Sequence, residues 1–213
     1  MSSSILRPGL IGALTLAVTL IAGVTLGQTG PVAQADRSPV VVASAKVTVS
    51  GTSNVLDWSA TTSAARTANV RVTSDLPGGD FFWVGVVQTG AVQSFDVIVP
   101  VTALKSDRDN FTADMHKALK ADQYPDIVFS LSRIEKKPGG AKAFGLLKVA
   151  GVEKDVVLPL ITTTRNGSLL VLGSVDLLMT EFGIEPPTAM MGMLKTDPKV
   201  TVTFETVLAK PAT

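Results

Sequence analysis

Apolar and polar residues alternate with a period of two along most of the chain after residue 45. Between Thr67 and Thr73, for example, Val70 and Val72 fall on one face while Asn69 and Arg71 fall on the other. Such alternation, carried by β-branched and aromatic residues, indicates half-buried β-strands. Eight strands are predicted, over residues 46–58 (interrupted at 51–53), 67–73, 92–101, 127–134, 144–149, 156–161, 169–179 and 200–207.

One segment, Asn110 to Ala121, has helical periodicity instead. Phe111, Met115 and Leu119 recur at every fourth position and form one apolar stripe. Tyr124-Pro125 follows closely, and the residue before a proline is disfavoured in helical conformation. The sequence therefore predicts one short helix that ends before this proline.

Turn signals separate the predicted strands at short intervals. Asn166-Gly167 lies between two strand segments and is a strong signal for a two-residue hairpin. Gly139-Gly140 and Gly151 mark further turns. Closely spaced strands joined by hairpins favour an antiparallel barrel or sandwich. The predicted fold class is therefore all-β with one short helix.

The first 35 residues differ from the rest of the chain. No charged residue lies between Arg7 and Asp36, and Leu10–Leu26 is rich in apolar residues and precedes Ala33-Gln34-Ala35. A positive charge, an apolar segment and a small-x-small site are typical of a secretory signal peptide; the alternative is an uncleaved membrane anchor. We expect cleavage after Ala35, a mature domain over residues 36–213, and export to the periplasm or outside the cell.

Composition excludes several function classes. Hydrophobic residues make up 46% and charged residues 17% of the 213 residues, and the net charge is +1, so neither a disordered chain nor a broad nucleic-acid-binding surface is indicated. The chain has no cysteine, which rules out thiolate metal sites, and one histidine, His116, which leaves little room for a histidine-based metal cluster. Catalytic signatures such as Gly-x-Ser-x-Gly and His-Glu-x-x-His are absent. We therefore expect no catalytic residues, no metal and no enzymatic activity.

His116 has a carboxylate nearby in sequence, but their spacing does not suit catalysis. Asp114 lies two positions earlier in the predicted helix, and side chains two apart point to different sides of a helix. We therefore expect His116 to hydrogen-bond to a loop rather than to form an acid–base pair.

Several segments, in order, resemble the YceI-like family of exported, polyisoprenoid-associated proteins. They are Gly51–Trp58 with its Asp-Trp pair, the helix, Tyr-Pro and apolar strand of Met115–Phe129, Gly145–Val152, and Met179–Pro187. The resemblance covers about residues 45–208. Relatives often carry a histidine before the Asp-Trp pair, where this chain has Leu56.

The resemblance implies a lipocalin-like, eight-stranded antiparallel barrel that holds a long isoprenoid chain, with no other cofactor. Eight strands can enclose one slim ligand, and an apolar chain needs only apolar walls. Candidate lining residues come from periodicity and motif position, because an inward face cannot be fixed without the strand pairing. They are Trp58, Phe95, Val97, Phe129, Leu131, Leu177, Met179, Phe182 and Met190.

Three consecutive aromatic residues, Phe81, Phe82 and Trp83, match no pattern of the family. These residues are typical of a buried strand; the alternatives are a loop that contacts a membrane surface or a second copy of the chain, or a mouth over a ligand. A rival to lipid carriage follows: a structural or interaction protein with a filled barrel core that acts through this aromatic patch.

Overall fold

The structure, a computed structural model, describes residues 39–189 and 193–211. The predicted signal peptide and Met190 lie outside the described residues. In the described part of the chain, ten strands form one antiparallel sheet. They are β1 (Val41–Ser53), β2 (Trp58–Thr62), β3 (Arg66–Val72), β4 (Val92–Pro100), β5 (Asp126–Lys137), β6 (Gly140–Val149), β7 (Val152–Arg165), β8 (Ser168–Leu178), β9 (Thr188–Ala189) and β10 (Leu194–Ala209).

The strands hydrogen-bond in the order β2-β1-β10-β8-β7-β6-β5-β4-β3, with β9 paired to β10. The sheet curls so that β1 comes within 8 Å of β3 between Cα atoms, while β2 and β3 form its two edges in the described part of the chain. This lipocalin-like architecture confirms the predicted all-β antiparallel class, and its single curled sheet forms a half-barrel rather than a sandwich of two sheets.

The strand number differs from the prediction because the first predicted strand is two strands. Ser53 closes a tight turn after β1: its Oγ donates to the Leu56 carbonyl oxygen at 2.7 Å and accepts from the Leu56 N–H at 3.1 Å. The chain then reverses, and Trp58 pairs with Gly51. The nine strands of the described path, and the two-residue β9, thus replace the eight predicted.

The hairpin predicted at Asn166-Gly167 is confirmed. Arg165 pairs directly with Ser168, and both turn residues have positive φ, 49° and 73°, as a type I′ turn requires. At the opposite end of the barrel, the predicted turn residue Gly151 also makes room for Tyr124, because a Cβ at this position would collide with the Tyr124 ring.

The predicted helix is present as α2 (Asp109–Ala118), three residues shorter at its end than expected. It ends early because Lys120 takes a left-handed conformation, φ 54°, and its carbonyl oxygen accepts the N–H groups of Gln123 and Tyr124. His116 Nε2 donates to the Leu104 carbonyl oxygen at 2.8 Å, which confirms the expected hydrogen bond to a loop.

A second helix, α1 (Phe82–Val86), occupies the segment for which a contact patch or a buried strand was predicted. The assignment of Trp83 to an exposed patch is wrong: its side chain is 1% exposed, and its Nε1–H donates to the Gly167 carbonyl oxygen at 2.7 Å. Phe82 is half-buried, and of the three aromatic residues only Phe81 is largely exposed. A helix exposes one side and buries the other, so adjacent residues have opposite environments.

The fully buried apolar residues gather at the two ends of the barrel. At one end, Trp83 and Val86 of α1 pack with residues from nearby strand ends, which are Val40, Val70, Val92, Leu169 and Leu208. At the other end, beside α2, the cluster is Val149, Ala150, Phe182 and Ile184. We refer to these as the Trp83 end and the α2 end.

Candidate ligand-binding cavity

A cavity of about 460 Å³ lies between the two end clusters. The strand register aligns apolar side chains in rows across its wall: Val97 on β4 pairs with Phe129 on β5, which pairs with Leu147 on β6. These side chains point inward yet are only half-buried, because the cavity leaves one side of each without neighbouring atoms. A second such row consists of Val49, Val202 and Val175 on β1, β10 and β8.

The structure places the eight described candidates along this cavity, and their role in ligand binding stays a prediction. Phe95 and Leu131 lie toward the Trp83 end, and Leu177, Met179 and Phe182 toward the α2 end. The other three candidates, which also line the cavity, are Trp58, Val97 and Phe129.

Most residues of the cavity wall were not among the candidates predicted from the sequence. Many missed residues continue the period-two pattern of predicted strands, so their signal was present but their face was undetermined. Others lie on α2, whose apolar stripe was predicted from the sequence, although the sequence did not indicate that this stripe faces the cavity. The missed residues include Val49, Phe111, Met115, Leu147, Leu158, Leu160, Val171, Val175, Val200, Val202 and Phe204.

Aromatic side chains occupy the space beside glycines along the inner wall, which keeps the lumen open. A Cβ at Gly173 would stand 2.7 Å from Cε2 of Phe204, and a Cβ at Gly145 would stand 2.8 Å from Cε2 of Phe129. A Cβ at Gly51 would likewise stand 2.7 Å from Cε2 of Trp58. Each ring fills the space of a missing side chain instead of crossing the cavity.

The lining carries a few polar side chains besides threonines, and these are concentrated at one place. Arg108, Asn110 and Asp114 lie at the start of α2 and border the cavity. The Arg108 guanidinium stands over the ring of Phe111, 5.7 Å from its centre, and this ring in turn packs against Trp58 with 5.0 Å between ring centres.

One carboxyl group with a shifted pKa lies outside the cavity. Lys199 Nζ contacts Asp176 Oδ2 at 2.7 Å, and Thr201 Oγ1 donates to Asp176 Oδ1 at 2.6 Å. These hydrogen bonds, with that from Lys199 the stronger, hold the pKa of Asp176 below its usual value. The carboxyl is exposed on the outer face of β8, so it acts on the surface and not on a ligand.

No helix within residues 39–189 and 193–211 is both long and apolar enough to cross a bilayer.

The fold and its apolar cavity define a class: single-chain antiparallel barrels with a hollow interior. The sequence matches the YceI-like domain over residues 31–208, so the chain belongs to the YceI-like family, as the sequence motifs indicated. A comparison with curated proteins gave no match.

Solved structures with a similar fold have low sequence identity to this chain. BcnA from Burkholderia cenocepacia superposes with a TM-score of 0.60 at 14% identity, covering 78% of this chain and 96% of BcnA. A polyisoprenoid binding domain from Saccharophagus degradans gives 0.57 at 10% identity, covering 81% and 99%. The YceI protein of Campylobacter jejuni gives 0.51 at 16% identity, covering 70% and 85%.

Proposed function

We propose that this protein encloses one apolar, isoprenoid-type lipid chain in its barrel and carries or buffers it after export. The observation that supports this is the cavity of about 460 Å³, bounded by half-buried apolar side chains. Cavities of about 300–1,000 Å³ are typical of small-molecule sites. Each 100 Å² of apolar ligand surface removed from water would contribute about 2.5 kcal/mol.

The relatives support the same ligand class. The fold is shared with the domain from Saccharophagus degradans that is described as polyisoprenoid binding. Long isoprenoids are slim and unbranched apart from methyl groups, and a cavity that extends between two barrel ends suits such a shape. The export part of the proposal rests on the signal-peptide pattern of residues 1–35.

We propose carriage rather than catalysis because enclosure of a hydrocarbon chain needs no reacting group. The rival proposal of a filled core does not fit the cavity between the end clusters. The rival proposal also included an exposed aromatic patch, and a smaller patch of this kind is retained here as a surface that contacts a membrane.

The revised patch consists of Phe81 and Val84, with side chains 68% and 46% exposed. Lys210 Nζ lies 4.5 Å from the ring centre of Phe82 and contacts the Gly79 carbonyl oxygen at 3.4 Å, which puts a positive charge beside the patch. Aromatic and cationic groups together suit an anionic bilayer surface. We therefore propose membrane contact here, in preference to contact with a second copy.

Lipid extraction from the purified full-length chain, followed by mass spectrometry, tests the main proposal. We expect an isoprenoid lipid to co-purify, or phytanol to be taken up from cyclodextrin. Protein that is repeatedly empty and takes up no phytanol would refute it.

A matched pair of variants locates the ligand. Val202 faces the cavity, whereas its neighbour Thr203 is exposed on the outer face. Val202→Phe should reduce lipid uptake because the ring occupies the lumen, and Thr203→Phe should not. Equal uptake by both variants would place the lipid outside the barrel.

A further inference from the structure

The cavity has one polar end. Apart from threonine hydroxyls, its polar side chains are concentrated at Arg108, which directly precedes α2, and at Asn110 and Asp114 of α2. The opposite end is bordered by the apolar cluster around Trp83 and Leu208. An elongated ligand with one polar group would therefore place that group at the α2 end and its tail toward Trp83.

Trp58, at this polar end, has an unused hydrogen-bond donor. Its side chain is 8% exposed, and its Nε1–H is buried without a partner among the described residues. Trp83, at the other end, donates to Gly167. Because an unsatisfied buried donor destabilises the fold, a ligand oxygen that accepted this hydrogen bond would gain affinity.

The charges at the polar end favour an uncharged headgroup. Arg108 and Asp114 carry opposite charges, and neither has an ion-pair partner within 4.0 Å in the described part of the chain. Their formal charges cancel, so the site offers no net positive charge to a phosphate or pyrophosphate, which would lose its hydration on entry.

We propose that the ligand is an amphipathic isoprenoid whose uncharged oxygen, a hydroxyl or carbonyl, accepts the Trp58 Nε1–H at the α2 end. This inference rests on the proposed function. Phe111 packs against Trp58, and α2 contains no fully buried residue. The Phe111 ring would have to move aside for a ligand oxygen to reach the buried N–H.

Nuclear magnetic resonance of the two indole N–H groups tests the contact without changing the protein. The chain contains only Trp58 and Trp83, and Trp83→Phe assigns the two signals. The probes are phytanol and phytane, which share a carbon skeleton and differ by one hydroxyl. We expect phytanol, but not phytane, to shift the Trp58 N–H resonance downfield, with the Trp83 resonance moving little.

Binding measurements provide the second arm. Wild-type protein should bind phytanol about three- to tenfold more tightly than phytane, as expected for one hydrogen bond. Trp58→Phe should remove that preference, and Trp83→Phe should keep it. Phytanyl phosphate should bind less tightly than phytanol.

The outcomes separate the two proposals. If phytane and phytanol bind equally and shift the Trp58 signal equally, the headgroup inference is wrong while lipid enclosure stands. Tighter binding of phytanyl phosphate than of phytanol would overturn the uncharged headgroup. If none of the three lipids binds, the proposed function fails, and this inference fails with it.

Discussion

Replacing Gly173 with alanine tests whether glycines keep the lumen open. The new Cβ would stand 2.7 and 2.8 Å from Cε2 and Cε1 of Phe204, and closer still to Cζ. Non-bonded carbon atoms prefer about 3.5–4.0 Å, so the ring must move by about 1 Å or more. All three nearest atoms belong to the Phe204 side chain, and the open side of that ring is the cavity. Gly173→Ala should therefore push the ring into the lumen.

Gly173→Ala should lower the affinity for the ligand more than it changes the free energy of unfolding. Overpacking a filled core costs about 1–3 kcal/mol, but here the ring has empty space to enter, and alanine is about 0.5–1 kcal/mol better than glycine in a strand. We therefore expect the free energy of unfolding of the apoprotein to change by less than about 1.5 kcal/mol. A ligand that loses about 60 Å² of apolar contact should bind about tenfold more weakly.

The assay is displacement of a fluorescent lipid probe by phytanol, with urea unfolding in parallel. Gly78→Ala is the matched control, because a Cβ there meets nothing within 4 Å and the residue is extended with φ −79°. Adding Phe204→Leu to Gly173→Ala should restore affinity. Unchanged affinity in Gly173→Ala, or a loss as large in Gly78→Ala, would refute the reasoning.

Three further predictions concern the surface and the Trp83 end. Phe81→Ser should weaken binding to anionic vesicles in a flotation assay, whereas Leu146→Ser, which removes an exposed apolar side chain elsewhere, should not; equal effects would contradict a patch at α1. Trp83→Ala should lower the free energy of unfolding by about 3–5 kcal/mol, since it empties a fully buried site and removes a hydrogen bond to the backbone; a loss under about 1 kcal/mol in urea unfolding would show that α1 does not seal the barrel. The pKa of the Asp176 carboxyl is lowered in the folded state, so its stabilising contribution is present above the unfolded pKa and is lost as pH falls through the folded pKa. The carboxyl resonance of Asp176 should therefore titrate below the usual aspartate range. Lys199→Ala should raise the pKa of Asp176, and no rise would exclude the Lys199 contact as the cause of the shift.

Local signals in the sequence were sufficient for the strands, the main hairpin and the family. These local signals were insufficient where contacts between residues distant in sequence determine the local conformation. The segment around Phe82 contains β-favouring aromatic residues, yet it is helical because Trp83 packs into the barrel end and reaches the Gly167 carbonyl oxygen. That contact joins residues 84 positions apart, which no local pattern encodes.

The inner wall was only partly predictable for the same reason. Period two places Val97 and Phe129 on one face of each strand but does not say which face is inward. The pairing of Phe129 with Leu147 across β5 and β6 decides this. The glycines on the inner wall gave no usable sequence signal, because a glycine in a strand also marks bulges and bends.

A hollow barrel must be stable while leaving its centre unpacked, and this chain separates the two requirements along the barrel axis. Fully buried apolar residues concentrate at the ends, around Trp83 on one side and Phe182 on the other. Between them, half-buried side chains keep surface available to a ligand, and rings over Gly145 and Gly173 keep that surface against the wall. Binding should then stabilise the middle of the barrel more than its ends, because the ligand supplies the neighbours that the central side chains lack. Hydrogen exchange with and without phytanol would reveal this as protection gained at Val97, with little change at the ends, and uniform protection would mean that the ends and the middle unfold as one unit.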